Sequence, residues 1–175
     1  MHYAIMVIGT DRPGIVAGLT LALRDVGCNL EDVSSTILRG YFTMMLVVDA
    51  QEGVEPGAIR EALEKAAGPL GVIASVEDVE EGAPERPVAT HVLTAYGSDH
   101  PGIVAAFAGL LSERGINITD LSCRLVGEET PVYAMIAEVS LPDGMDEVRV
   151  EREIAAAGRE LSVDVTFRPV DVETL

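Results

Sequence analysis

The stretch Gly9-Thr10-Asp11-Arg12-Pro13-Gly14-Ile15-Val16-Ala17 recurs as Gly97-Ser98-Asp99-His100-Pro101-Gly102-Ile103-Val104-Ala105. A chain that repeats a junction this closely folds as two copies of one unit, and every other feature has to fit that duplication. From Gly9 to Ser34 against Gly97 to Ser122, about twelve of twenty-six positions are identical, Gly27/Gly115, Asn29/Asn117 and Asp32/Asp120 among them. The register slips by three across Val126 to Pro131 and resumes with Phe42 on Tyr133, Met44 on Met135 and Val48 on Val139. Between the copies, Glu80 to Pro87 is charged, Pro-rich and without periodicity. This predicts an N-terminal unit over 1–80, a linker over 81–88 and a C-terminal unit over 89–175.

Each copy reads β-α-β-β-α-β. An apolar run over 3–9 is the first strand. Ile15, Val16, Leu19, Leu23 and Val26 follow helical spacing, which predicts a helix from Pro13 to about Val26, with Gly27 just past its end. Strand two spans about 29–39, with Val33, Ser35 and Ile37 on one face. Gly40-Tyr41 turns the chain into strand three at Phe42 to Asp49. Ile59, Leu63, Ala66 and Leu70 mark the second helix, matched by Val150, Ile154 and Ala157 in the second copy. Strand four is 72–79 and 161–169. The class is α+β: two tandem ferredoxin-like units, each an antiparallel sheet with two helices on one face. Strands one and three are apolar on both sides, so the helix-free face is also expected to be covered, by the sister unit or by another chain. Tandem packing or a homodimer follows.

Lys and Arg total 12 against 29 Asp and Glu, a formal charge of −17, and both halves are acidic. Without a basic stripe the chain is not expected to contact nucleic acid directly. No apolar run is long enough to span a membrane, and the N-terminus does not read as a signal peptide, so a cytoplasmic protein is expected. Cys28 and Cys123 fall at different places in the repeat and read as buried hydrophobes in a reducing compartment. Three histidines without ligand-spaced neighbours predict no metal site. Met6, Met44, Met45 and Met135 read as core, Ser34, Ser35 and Ser122 as core or edge residues, and Glu128-Glu129 as a solvated hairpin tip.

The repeated turn admits two readings. In one, Asp11 caps a helix, Gly9 ends the strand and Gly14 is a packing residue. In the other, Gly14 in the first helical turn lets a ligand approach the backbone, and free N–H groups there take an anionic group such as an amino-acid carboxylate. Asn29 and Asp32 follow the far end of the first helix, so they reach a ligand at the turn only across an interface between units. No nucleophile accompanies Asp99-His100, and Arg12 replaces the His in the first copy, which argues against catalysis.

The segments Gly-Thr-Asp-Arg-Pro-Gly-Ile-Val with Gly-Cys-Asn-Leu-Glu-Asp, and Gly-Ser-Asp-His-Pro-Gly-Ile-Val with Gly-Ile-Asn-Ile-Thr-Asp, resemble the ACT domain, a βαββαβ module that binds amino acids. Two such units together resemble the glycine cleavage system transcriptional repressor family. The resemblance implies a non-enzymatic regulator without a cofactor, binding a small amino acid of glycine or serine type. It implies a ligand site of Asp11, Arg12, Pro13, Gly14, Ile15, Val16, Asn29 and Asp32, and a second of Asp99, His100, Pro101, Gly102, Ile103, Val104, Asn117 and Asp120. Occupancy would pass to a protein partner, a transcription activator or, alternatively, a metabolic enzyme.

Overall fold

The computed structural model describes residues 1–79, 87–127 and 131–170. The chain divides into two compact units, Met1–Pro84 and Glu85–Leu175. The expected linker falls almost wholly outside the described residues, as do Glu128 and Glu129.

The first unit runs β1 (His2–Thr10), α1 (Ile15–Asp25), β2 (Cys28–Leu38), β3 (Tyr41–Ala50), α2 (Pro56–Leu70) and β4 (Val72–Asp78). Its strands form one antiparallel sheet in the order β2-β3-β1-β4. The second unit repeats this with β5 (His91–Gly97), α3 (Ile103–Ser112), β6 (Asn117–Val126), β7 (Val132–Ser140), α4 (Glu147–Glu160) and β8 (Val163–Pro169), in the sheet order β6-β7-β5-β8. The helices cover one face of each sheet, the architecture the alternation of strand and helix patterns dictates.

Strand alternation builds the core. Tyr3, Ile5 and Val7 of β1 and Met44, Leu46 and Val48 of β3 point inward and are buried. They meet Ile15, Leu19 and Leu23 of α1 and Ile59 and Leu63 of α2. In the second unit Leu93, Met135 and Val139 meet Ile103, Phe107, Leu111, Val150 and Ile154. Each such side chain contributes about 1.5–3 kcal/mol through burial. Cys28 is buried as expected, and burial, followed by the charge of Asp49, raises its thiol pKa. Cys123 is exposed, against expectation, because β6 is an edge strand whose outer residues the helices do not cover. Val33 and Ile37 of the edge strand β2 are exposed for the same reason.

The methionines divide between the two faces. Met44 and Met135 are core, but Met6 and Met45 lie on the helix-free face of the first sheet and are exposed, with Ile8 and Ile73 beside them. The corresponding face of the second sheet is more polar: Thr94 and Thr166 share a hydrogen bond of 2.6 Å, and Glu138, Asp164 and Arg168 stand where the first sheet has Val47, Ile73 and Glu77. The β2–β3 hairpin turns on Arg39-Gly40, one residue earlier than the sequence pattern suggests. Both have positive φ, 49° and 82°, as a two-residue turn matched to strand twist requires.

Candidate functional site

Both repeated turns have one backbone conformation. Gly14 is the N-cap of α1 at φ 98°, ψ −12°, and Gly102 is the N-cap of α3 at φ 107°, ψ −12°. These angles lie in the left-handed region, so glycine is there for φ, not for helix packing. A Cβ at either position would meet nothing within 4 Å. The helices thus begin one residue after the glycines rather than at the prolines. Asp11 does not cap α1, since neither helix has a side-chain cap. The backbone N–H groups of both first turns are left without a side-chain acceptor.

The first turn is held from two sides. The Asp11 backbone N–H donates to the Gly40 carbonyl of the β2–β3 hairpin at 2.8 Å. The Arg12 guanidinium donates to the Pro69 carbonyl at the end of α2. In the second turn the His100 Nε2 lies 2.8 Å from the Leu161 carbonyl, just past α4. Arg12 and His100, the position where the copies differ, therefore do the same work: each ties its turn to the C-terminal end of the second helix, where carbonyls lack intrahelical donors. Sequence reading could not find this contact, because Arg12 and Pro69 are 57 residues apart with no pattern linking them.

Arg12 and His100 tether the turns and Val104 is half-buried against the core of the second unit; the other proposed binding residues separate into three groups. Asp11, Pro13, Gly14 and Val16, with Asp99, Pro101 and Gly102, are exposed at the turns. Ile15 and Ile103 are 2% exposed and belong to the cores, so their side chains are closed to a ligand. Asn29, Asp32, Asn117 and Asp120 are exposed but lie at the other end of their sheets. Asn29 pairs with Asp49, which pairs with His2, whereas the turn begins at Thr10 beside Tyr41. Eight residues of strand separate those rows, about 27 Å at the usual strand rise.

Residues 3–77 and 90–168 each match the family model for the ACT domain. The chain belongs to the ACT-domain family. ACT domains are regulatory, non-catalytic modules, and the chain is a non-enzymatic, ligand-sensing protein of that kind. A UPF0237 protein of Methanopyrus kandleri is 49% identical over 78 residues, covering 43% of this chain and 87% of that relative. The crystal structure of an unknown protein from Galdieria sulphuraria superposes with a TM-score of 0.82 at 25% identity, covering 97% of this chain and 98% of that one. A protein proposed to be a glycine cleavage system transcriptional repressor has the same fold, with a TM-score of 0.70 at 19% identity over 97% of both chains. Among the described residues, no helix is long and apolar enough to cross a membrane.

The second ACT unit carries a group at its turn that the first lacks. Tyr133 stands where the first unit has Phe42, and Cys123 where it has Ser35. Hydrogen bonding with Cys123 first, then burial, then the charges of Cys123 and Asp99 push the Tyr133 phenol from 10.0 up to about 12. The folded unit therefore keeps a proton that the unfolded chain loses above pH 10. Stability from this group is complete below that pH and is lost as pH rises through about 12. Tyr133→Phe is expected to remove the last step of an ultraviolet tyrosinate titration and to flatten the alkaline decline in stability. A last titration step unchanged in the variant would refute this reading.

Proposed function

We propose that the chain senses a small amino acid of glycine or serine type at the β1–α1 and β5–α3 turns and passes its occupancy to a protein partner that controls transcription, in the manner of glycine cleavage regulation. One observation carries the reading: two turns that share one left-handed glycine cap, each offering uncapped first-turn N–H groups to an anion. A carboxylate is the fragment of an amino acid that such N–H groups bind, and the exposed Asp11 and Asp99 supply the opposite charge for its ammonium group. Asn29 and Asp32, too far from their own turn, complete a site only when a second unit presents them, so binding is linked to how units associate. The fold shared with the proposed glycine cleavage repressor supports the transcriptional form of this reading.

A second reading, docking on a metabolic enzyme, is favoured by the exposed apolar face of the first sheet. There Met6, Ile8, Met45 and Ile73 border a concavity of about 380 Å³. A homodimer formed through this face would be compatible with either reading.

Calorimetry with each of the twenty amino acids tests the sensor. Glycine or serine is expected to bind below about 1 mM, and Gly14→Leu, which cannot hold φ 98° without strain, is expected to weaken binding at least tenfold. If none of the twenty binds below that concentration, the sensor reading is wrong. Capture from the native host, with the partner sequenced, separates the two forms: a transcription factor supports the first and a metabolic enzyme the second.

A further inference from the structure

The four strands of the first sheet contain five carboxylates, Glu31, Asp32, Asp49, Glu77 and Asp78, and no Lys or Arg. Strand pairing gathers all five at one end. Asp49 pairs with His2, Asp78 with Tyr3, Glu77 with Ala4, and Asp32 joins the same row through Val47. On a chain of this charge an acidic patch alone means little. What sets this one apart is an imidazole converging with two of the carboxylates.

His2 and Asp49 are direct cross-strand partners, and their neighbours Tyr3 and Val48 face the core, which turns both side chains to the helix-free face. Glu31 arrives by a different route. Leu30 pairs with Val48 and Asp32 with Val47, so Glu31 is the extra residue of a β-bulge. The result is a His2 Nε2 that lies 3.2 Å from Glu31 Oε2 and 3.9 Å from Asp49 Oδ1, with all three donor atoms within 4.8 Å of one another. Metal–donor bonds of about 2.0–2.2 Å place neighbouring ligands of a tetrahedral shell about 3.4 Å apart, so small side-chain adjustments bring these three to coordination distance. Each is less than half exposed and reachable by a hydrated ion. The Met1 amino group also lies on Asp49 Oδ1, at 3.1 Å, and 3.5 Å from the Ala50 carbonyl.

The second unit supplies an internal control. It has the same sheet and the same bulge, between Ile118 and Asp120, but Thr90, Thr119 and Ser140 stand where the first has His2, Glu31 and Asp49. The fold does not require the three donors.

We propose that His2, Glu31 and Asp49 form a binding site for a divalent transition-metal cation of the Zn²⁺ class. One imidazole and two carboxylates suit Zn²⁺ better than Mg²⁺ or Ca²⁺, which prefer oxygen-only shells, and three protein ligands leave a coordination position open. The neighbouring carboxylates favour the cation electrostatically. Its three donors are none of the residues proposed to bind the amino acid, although Asn29 and Asp32 flank Glu31 on β2.

The experiment is calorimetric titration of the full chain, free of any tag, with ZnCl₂ at about 150 mM NaCl, where diffuse counter-ion binding is screened. One equivalent is expected to bind with a Kd in the low micromolar range, on the order of 1–10 μM. His2→Ala, Glu31→Gln and Asp49→Asn are each expected to weaken it at least tenfold, while Glu77→Gln, outside the triad, leaves it within about twofold. Circular dichroism of each variant verifies the fold, which these surface changes should preserve. Three outcomes would overturn the proposal: no binding below about 1 mM, several weak equivalents that the triad variants do not alter, or displacement of Zn²⁺ by equimolar Mg²⁺.

Discussion

Phe107→Ala is expected to cost the second unit about 3–5 kcal/mol, the loss usual for truncating a fully buried aromatic ring. Phe107 is 1% exposed, on the face of α3 between Ile103 and Leu111, and it packs into the cluster of Leu93, Met135 and Val139. Domains of this size hold only about 5–15 kcal/mol in total, so the variant should be close to unfolding at physiological temperature. Urea denaturation followed by circular dichroism measures the loss. Phe107→Leu is the informative companion. It installs the residue that the first unit carries at the matching position, Leu19, which is itself fully buried. It should cost appreciably less than the alanine, because volume and shape are largely kept. Equal losses for the two variants would mean that the ring does not fill the core as described.

Gly9→Ala should destabilise the first unit by about 1–3 kcal/mol, and Gly97→Ala the second by less. A Cβ at Gly9 would lie 2.8 Å from the Gly71 carbonyl oxygen and 2.9 Å from the Val72 Cα, both backbone atoms where the chain enters β4. At Gly97 the nearest backbone atoms are at 3.2 Å, and only the movable Val163 side chain is closer. Backbone cannot step aside without separating β1 from β4, whereas a valine rotamer can shift. Paired denaturation curves test the order. A Gly97→Ala loss as large as that of Gly9→Ala would contradict the geometry. Gly9 thus has a different purpose from the one its place at a strand end suggests: close packing against the neighbouring strand, with no unusual dihedral.

Much of this architecture is legible from the residues. Helical spacing at Ile15, Leu19 and Leu23 and at Ile59 and Leu63 marks buried helix faces, and duplication checks each reading against a second copy. What escaped reading has specific causes. Gly14 looked like a helical residue because Pro13 before it suits a first turn, yet the helix starts one residue later and the glycine supplies a left-handed cap. Apolar runs in β1 and β3 could not say which methionines face the helices, because both faces carry them. Cys123 resembled a core residue until the strand order placed it on an edge. The cluster of His2, Glu31 and Asp49 depends on pairing register and one bulge. A slip of a single residue would send side chains to the opposite face, and sequence spacing does not encode the bulge. Of the candidate ligand residues, those in the turns were readable as one group, while Ile15 and Ile103 carry the motif's spacing but spend it on the core.

The tethers on the repeated turns have a kinetic consequence. Asp11 is fastened to the hairpin and Arg12 to the end of α2 before any ligand arrives, and His100 makes the equivalent bond in the second unit. Such a loop is preorganised: the entropy of ordering it is lost during folding and is not charged again against affinity. Capture of the proposed amino acid at the turn would then need no slow closing step, and its on-rate should approach that of simple diffusive encounter. A slower relaxation after a jump in ligand concentration should depend on protein concentration if it reports association between chains, whereas motion of the turn would not.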